Sequence, residues 1–64
     1  MFPDHAAMVR EHLADGKWHT WREIAGLADR NLGAELCLAA AIEEMREAGE
    51  LLHRKDTNSY RMPA

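Results

Sequence analysis

The sequence predicts an α+β fold, in which three helices are followed by a C-terminal two-stranded β-hairpin. Three observations lead to this prediction. A capped segment with an apolar stripe begins near Thr20, a long run of strong helix formers ends at Gly49, and two alternating segments flank a polar turn near the C-terminus. The chain has 64 residues, so we predict one small domain over residues 1–64. Such a domain buries only roughly 60% of the surface of its unfolded chain, so its stability is small.

The first helix is predicted to begin near Pro3 and Asp4, because proline suits a helix start and a carboxylate favours the positive amino end of the helix. One face carries apolar side chains at helical spacing, namely Ala6, Val9 and Leu13, which Phe2 or Met8 can join. A turn signal at residues 15–16, Asp-Gly, ends this helix. Residues 17–19 then form an extended link that can pair as a very short strand, in which case Trp18 points inward.

The second helix is predicted to begin at Trp21, because Thr20 and Glu23 form a capping box. In this motif the Thr20 hydroxyl accepts from the Glu23 amide, and the Glu23 carboxylate reaches back to the Thr20 amide. Its apolar face comprises Trp21, Ile24, Ala25 and Ala28. Several weak helix formers follow, so we expect the chain to turn within residues 29–33.

The long helix is predicted to start at Ala34, where the composition changes to strong helix formers. Its buried stripe is expected to comprise Leu38, Ala41, Ile42 and Met45. Gly49 is expected to end the helix in the left-handed conformation. Apolar and polar side chains alternate within residues 51–54 and 60–62, which favours strands. The polar residues 55–59 between them predict a hairpin with a five-residue loop.

This order of elements resembles the winged helix-turn-helix family. The resemblance covers residues 4–62, and it depends on the capped segment TWREIA, the long helix ending in IEEMREAGELL, and the hairpin LLHRKDTNSYRM. It implies a small non-catalytic protein that binds duplex DNA, as a transcriptional regulator or an accessory factor. In this family the second helix of the helix-turn-helix enters the major groove, and the hairpin, called the wing, contacts the backbone or the minor groove.

Cationic side chains around the second helix and on the hairpin are the candidate DNA contacts. They are Lys17, Arg22, Arg30, Arg54, Lys55 and Arg61. Phosphate contacts of this kind position a protein without reading the sequence of the DNA. The long helix offers no arginine, lysine, asparagine, glutamine, serine or threonine before Arg46, although base recognition relies on these side chains. The net charge of −3 also argues against a general binder of polyanions.

The alternative is a function in protein binding, through the outward positions of the long helix. Small and apolar side chains there form a candidate interface for a second copy of the chain or another protein, and they are Leu36, Cys37, Ala39 and Ala40. If the long helix is instead rotated, Leu36 and Ala39 belong to the core. A structural domain that binds no nucleic acid is a further possibility.

Other chemistry is not expected. The four histidines and Cys37 lack helical ligand spacing, CxxC and HExxH, so we predict no metal site and place His5 and His12 on a helix surface. Cys37 lacks an adjacent base, and no nucleophile elbow or phosphate-cradling glycine loop is present, so we predict no enzyme, cofactor or small-molecule substrate. Trp18 and Trp21 can stack on bases, but core packing is favoured. The lone cysteine suggests a reducing, cytoplasmic setting, and no apolar run is long enough to span a membrane.

Overall fold

The computed structural model describes residues 4–63, which form three α-helices and a small three-stranded antiparallel sheet. This architecture confirms the predicted α+β class. The elements are α1 (His5–His12), β1 (His19–Thr20), α2 (Trp21–Ala25), α3 (Leu32–Glu47), β2 (Leu52–Arg54) and β3 (Ser59–Arg61). A short 3-10 helix, Gly26–Ala28, continues α2. The predicted roles of Phe2 and Pro3 lie outside the described residues.

Helix α1 begins where Asp4 caps it, because the Asp4 carboxylate accepts from the Ala7 amide at 3.2 Å. Val9 and the residue that follows the helix in the same stripe, Leu13, are fully buried, and Ala6 packs against the core beside them. The predicted apolar face of the first helix is therefore confirmed. The chain reverses at Gly16, whose φ of +74° is readily adopted only by glycine.

Helix α2 begins at Trp21, as predicted, and the Thr20 hydroxyl accepts from the Glu23 amide at 3.2 Å. The other half of the predicted capping box is wrong. The Glu23 carboxylate does not bond to the Thr20 amide and instead contacts His12 and His19. The amide of Trp21 donates to the carbonyl of Asn58 at 2.9 Å, so the start of α2 is tied to the turn before β3.

Helix α3 begins at Leu32, two residues before the predicted start at Ala34. Asn31 explains the earlier start, because its side chain accepts from the Ala34 amide at 3.0 Å and caps the helix. The predicted buried stripe is confirmed in full, since Leu38, Ala41, Ile42 and Met45 are all buried. The carboxyl end is also confirmed. Gly49 has φ of +76°, and the amides of residues 49 and 50 bond back to the carbonyls of residues 46 and 45 as in a Schellman motif.

The sheet has the strand order β1-β3-β2, with β3 paired antiparallel to both neighbours. Two expectations are corrected here. The short strand is His19–Thr20, because His19 pairs with Tyr60 and Thr20 with Ser59, so Trp18 precedes it. The hairpin loop has four residues, 55–58, since Ser59 is already in β3. Ser59 is buried, and its hydroxyl is satisfied because it donates to the Thr57 hydroxyl at 2.8 Å.

One hydrophobic cluster joins the helices to the core-facing side of the sheet. Its buried members are Val9, Leu13, Ile24, Ala28, Leu38, Ile42, Met45, Leu51 and Tyr60. Trp21 packs against this cluster from a half-buried position. Within residues 4–63, no helix has the length and apolar character needed to cross a membrane.

Candidate nucleic-acid interface

The six cationic residues predicted to contact DNA lie on connections and on the hairpin. Five of them are exposed and Arg61 is half-buried. Their positions are the link before β1 (Lys17), the first turn of α2 (Arg22), the turn before α3 (Arg30), the end of β2 (Arg54), the hairpin loop (Lys55) and β3 (Arg61). The hairpin therefore carries three of the six.

These six residues differ from the other two cations in their pairing. Arg10 lies 2.9 Å from the Glu50 carboxylate, and Arg46 lies 3.5 Å from the Glu43 carboxylate. Within the described part of the chain, none of the six candidates has a carboxylate oxygen within 4.0 Å of its charged nitrogens. Their charged groups are not held in salt bridges, so they can act on an anionic partner despite the net negative charge of the whole chain.

Trp18 organises two of these guanidinium groups. The Arg54 guanidinium lies 4.6 Å from the centroid of the Trp18 ring, and that of Arg61 lies 5.6 Å from it. Both distances suit a cation–π contact, which orders an arginine while leaving its N–H groups able to donate. Trp18 is half-buried rather than part of the core cluster, so its predicted inward orientation is wrong. Trp18 instead packs against the two arginines on the outer side of the sheet.

The turn before α3 presents Arg30 beside the amino end of that helix. Asp29 and Arg30 both have left-handed backbones, with φ of +48° and +67°, which is uncommon for residues other than glycine. This pair of conformations completes the reversal between the 3-10 helix and Asn31. Arg30 is exposed at a helix end whose amide dipoles favour anions.

The outward face of α3 is apolar. Leu32 and Leu36 have 75% and 72% of their surface exposed. Cys37 and Ala40 are also exposed, whereas Ala39 is half-buried. The rotated arrangement that would place Leu36 in the core is therefore wrong. A shallow hollow of about 360 Å³ lies on this face, lined by Trp21, Leu32, Glu35, Leu36 and Ala39.

The groove between α3 and the hairpin lacks the side chains that read base edges from the helix. Its helix side is formed by Ala39, Ile42 and Glu43, and Trp21, Asn58 and Tyr60 complete it. Glu43 is exposed and directs its carboxylate to Arg46. Glu44 and Glu47 are also exposed on α3, whereas Glu35 is half-buried. Because a carboxylate repels phosphate, this part of α3 does not favour deep entry into a groove of DNA.

Sequence reasoning missed a group of titratable side chains on the other side of α2. His12, from the end of α1, lies with its Nε2 2.8 Å from Glu23 Oε2. His19 Nδ1 contacts the same carboxylate oxygen, and His19 Nε2 lies 2.9 Å and 3.1 Å from the two oxygens of Asp15. The two imidazole rings are 4.9 Å apart between centroids. His12 and His5 are both half-buried.

The charges within this group perturb one another. The hydrogen bond that His19 donates to Asp15, followed by the one that it donates to Glu23, raises the pKa of His19 above its ordinary value, although partial burial opposes the change. The same bond to His19 lowers the pKa of the Asp15 carboxyl. The bonds from His19 and then His12 lower the pKa of the Glu23 carboxyl. A spacing rule could not find this group, because its members come from separate elements and meet only in the folded chain.

Comparisons of the chain with family models, curated proteins and solved structures gave no match.

Proposed function

We propose that this chain is a small, non-catalytic winged-helix protein that binds duplex DNA, as a transcriptional regulator or an accessory factor. The observation that supports the proposal is the set of six exposed or half-buried cations that have no carboxylate partner among residues 4–63. Phosphate oxygens are the ligands that such exposed guanidinium and ammonium groups suit best. The contacting parts are the hairpin and the amino-terminal part of α3.

The order and pairing of the elements support this proposal. A helix, a short strand, two helices and a hairpin follow one another, and the first strand pairs with the last. In the winged helix-turn-helix family, which this arrangement resembles, the hairpin lies beside the second helix of the helix-turn-helix. Arg30, in the turn before α3, and Arg54, on the hairpin, would then both approach phosphates.

Recognition is expected to depend mainly on phosphates. The outward face of α3 presents leucine, cysteine and alanine at positions where sequence-specific proteins present hydrogen-bond donors and acceptors. We therefore expect weak discrimination between DNA sequences and a strong dependence of affinity on salt.

The hairpin contribution is tested with the double variant Arg54→Ala/Lys55→Ala. If both side chains contact phosphates, the slope of log K against log salt concentration should become shallower by about 1.8, because each phosphate that the variant no longer neutralises accounts for about 0.9. The matched control is Arg10→Ala/Arg46→Ala, which removes the same charge from residues already paired with glutamates. Equal slopes for the two double variants would contradict specific contacts by the hairpin, because only the net charge would then matter.

A second candidate function is protein binding through the outward face of α3. Two leucines that line a shallow hollow and have about three quarters of their surface exposed favour it. Leu36→Glu should abolish self-association or partner binding, because burying an unpaired charge in an apolar contact is costly. Leu52→Glu is the matched control on the sheet, where Leu52 is 44% exposed. Sedimentation that is concentration-independent for the wild type and both variants would exclude self-association.

A further inference from the structure

We propose that His12, His19 and Glu23 form a binding site for one divalent transition-metal ion, and that zinc fits it well. The three side chains come from the end of α1, from β1 and from the first turn of α2. One ligand atom from each residue can be chosen so that all lie within 4.8 Å of one another. The site is separate from the cations proposed to contact DNA, and the proposal does not depend on DNA binding.

The spacing of the ligand atoms is close to that of an assembled site. Zinc binds nitrogen and carboxylate oxygen at about 2.0–2.2 Å, so the ligand atoms of a tetrahedral site lie about 3.4 Å apart. Since the ligand atoms of this group lie within 4.8 Å of one another, movements of up to about 1.4 Å would assemble the site. Ordinary side-chain rotation supplies such movements, since Glu23 is exposed and the histidines are only half-buried.

Both imidazoles converge on one oxygen of Glu23. His12 presents Nε2 to Glu23 Oε2 at 2.8 Å, and His19 presents Nδ1 to the same oxygen. Protons occupy these contacts in the metal-free protein, because a carboxylate oxygen can only accept. An ion would replace those protons, with lone pairs from His12 Nε2, His19 Nδ1 and the Glu23 carboxylate directed at it. On binding, His19 would release its Nδ1 proton to solvent and keep the proton on Nε2, whereas His12 would keep a proton on Nδ1, so binding should weaken as pH falls.

Asp15 orients His19 for this role. The His19 Nε2–H donates to the two oxygens of Asp15, at 2.9 Å and 3.1 Å. Because this bond keeps a proton on Nε2, the ring that remains after Nδ1 loses its proton is a neutral imidazole. The lone pair of its Nδ1 is directed toward Glu23 and His12. Histidines that bind metals commonly donate their second ring N–H to a carboxylate in this way. Asp15 is itself held by the Lys17 amide, which donates to it at 2.9 Å. Asp15 is a positioning residue rather than a ligand.

The donor set selects the class of ion. Two imidazoles and one carboxylate suit zinc, copper(II) and nickel(II), whereas calcium and magnesium prefer sites made of oxygen ligands alone. Three protein ligands leave a fourth position for water, on the side where Glu23 is exposed. The bound ion would link α1 to the junction of β1 and α2, so it would stabilise the folded state over the unfolded state.

Isothermal titration calorimetry with zinc chloride tests the site. The protein is prepared without a histidine tag, treated with a chelator, and carries Cys37→Ser to remove the exposed thiol. We expect one ion per chain, release of protons that shows as a dependence of the heat on the buffer, and a higher melting temperature with zinc. Cobalt(II) should give the visible absorption bands of a four-coordinate ion with nitrogen and oxygen ligands. A folded protein that binds no zinc at millimolar concentration would overturn the proposal.

Variants distinguish this site from binding to scattered histidines. Asp15→Asn should weaken zinc affinity by about 10–100-fold, and the loss of a ligand, in His12→Gln or Glu23→Gln, should weaken it by more. His5→Gln is the matched control, because it removes a histidine from the same helix outside the group. Circular dichroism confirms that each variant is folded. Equal affinities for His5→Gln, His12→Gln and Glu23→Gln would contradict the proposal.

Discussion

The two faces of α3 use similar residues for opposite purposes. Leu38 is fully buried, whereas Leu36, two positions earlier, has 72% of its surface exposed. Residues two positions apart in an α-helix are separated by roughly 200° around its axis, so these leucines point to opposite sides. The inner face, with Ile42 and Met45, holds the core together. The comparison teaches that apolar character alone does not assign a residue to the core, and that the exposed face is available for binding.

The largest expected effect comes from shortening side chains on the inner face. Ile42→Ala and Met45→Ala should each lower the free energy of unfolding by roughly 2–5 kcal/mol, because each leaves a cavity in a packed core. Leu36→Ala, on the outer face, should change it by no more than about 0.5 kcal/mol. Urea unfolding of the three variants measures the difference. Similar losses for all three would show that the two faces are not distinct.

A smaller loss of stability is expected when the cap at the start of a helix is removed. Thr20→Ala should cost about 1 kcal/mol, because the Glu23 amide loses its side-chain acceptor. Thr20→Ser should restore most of this stability, since serine caps as well as threonine does. If thermal melts of the alanine and serine variants coincide, the hydroxyl does not stabilise α2.

The smallest expected effect is the pH dependence of the histidine group, in buffer containing a chelator. Because the pKa of His19 is raised, its contribution is fully present below its ordinary value of 6.5 and declines as pH rises through the folded-state value. The pKa values of Asp15 and Glu23 are lowered, so their contributions are present above 3.8 and 4.5 and decline as pH falls through the folded-state values. Among residues 4–63, the side chains of Asp15 and Glu23 bond to His19 and the His12 ring lies beside it, while Tyr60 is its partner across the strands.

The stability advantage of the wild type over His19→Gln should therefore be greatest between pH 4.5 and 6.5 and should shrink above that range. Urea unfolding across this pH series measures it. An advantage that grows from pH 6.5 to pH 8 would have the wrong sign for a histidine held in its charged form.

Local signals in the sequence predict most of the fold. The Thr20 cap, the left-handed Gly49 and the stripe through Leu38 and Ile42 depend on neighbours within a few residues, and all three are present. The predicted start of α3 is two residues too late. Glycine disfavours a helix, so Gly33 is expected to lie before it, but the cap that Asn31 provides outweighs the cost of Gly33 within the helix. The predicted hairpin loop is one residue too long. Serine is common in turns, but Ser59 lies in the strand, where its hydroxyl bonds to Thr57.

Contacts between distant segments could not be predicted from local patterns. The Glu23 carboxylate turns away from the predicted cap because His12, eleven positions earlier, reaches it after α1 and α2 have packed. Trp18 similarly meets Arg54 and Arg61 only when β1 pairs with β3. The sequence identifies the candidate cations by charge alone, and their lack of carboxylate partners among the described residues emerges from the fold.

The most direct test of the proposed DNA binding is a salt series on two duplexes of unrelated sequence. Fluorescence anisotropy at increasing salt concentration would measure the affinity of the wild-type chain for each duplex. If phosphates are the main contacts, both affinities should be similar and should fall along parallel lines of log K against log salt concentration, with a slope of about −0.9 for each phosphate contacted. Absence of binding to either duplex at the lowest salt concentration would contradict the proposal.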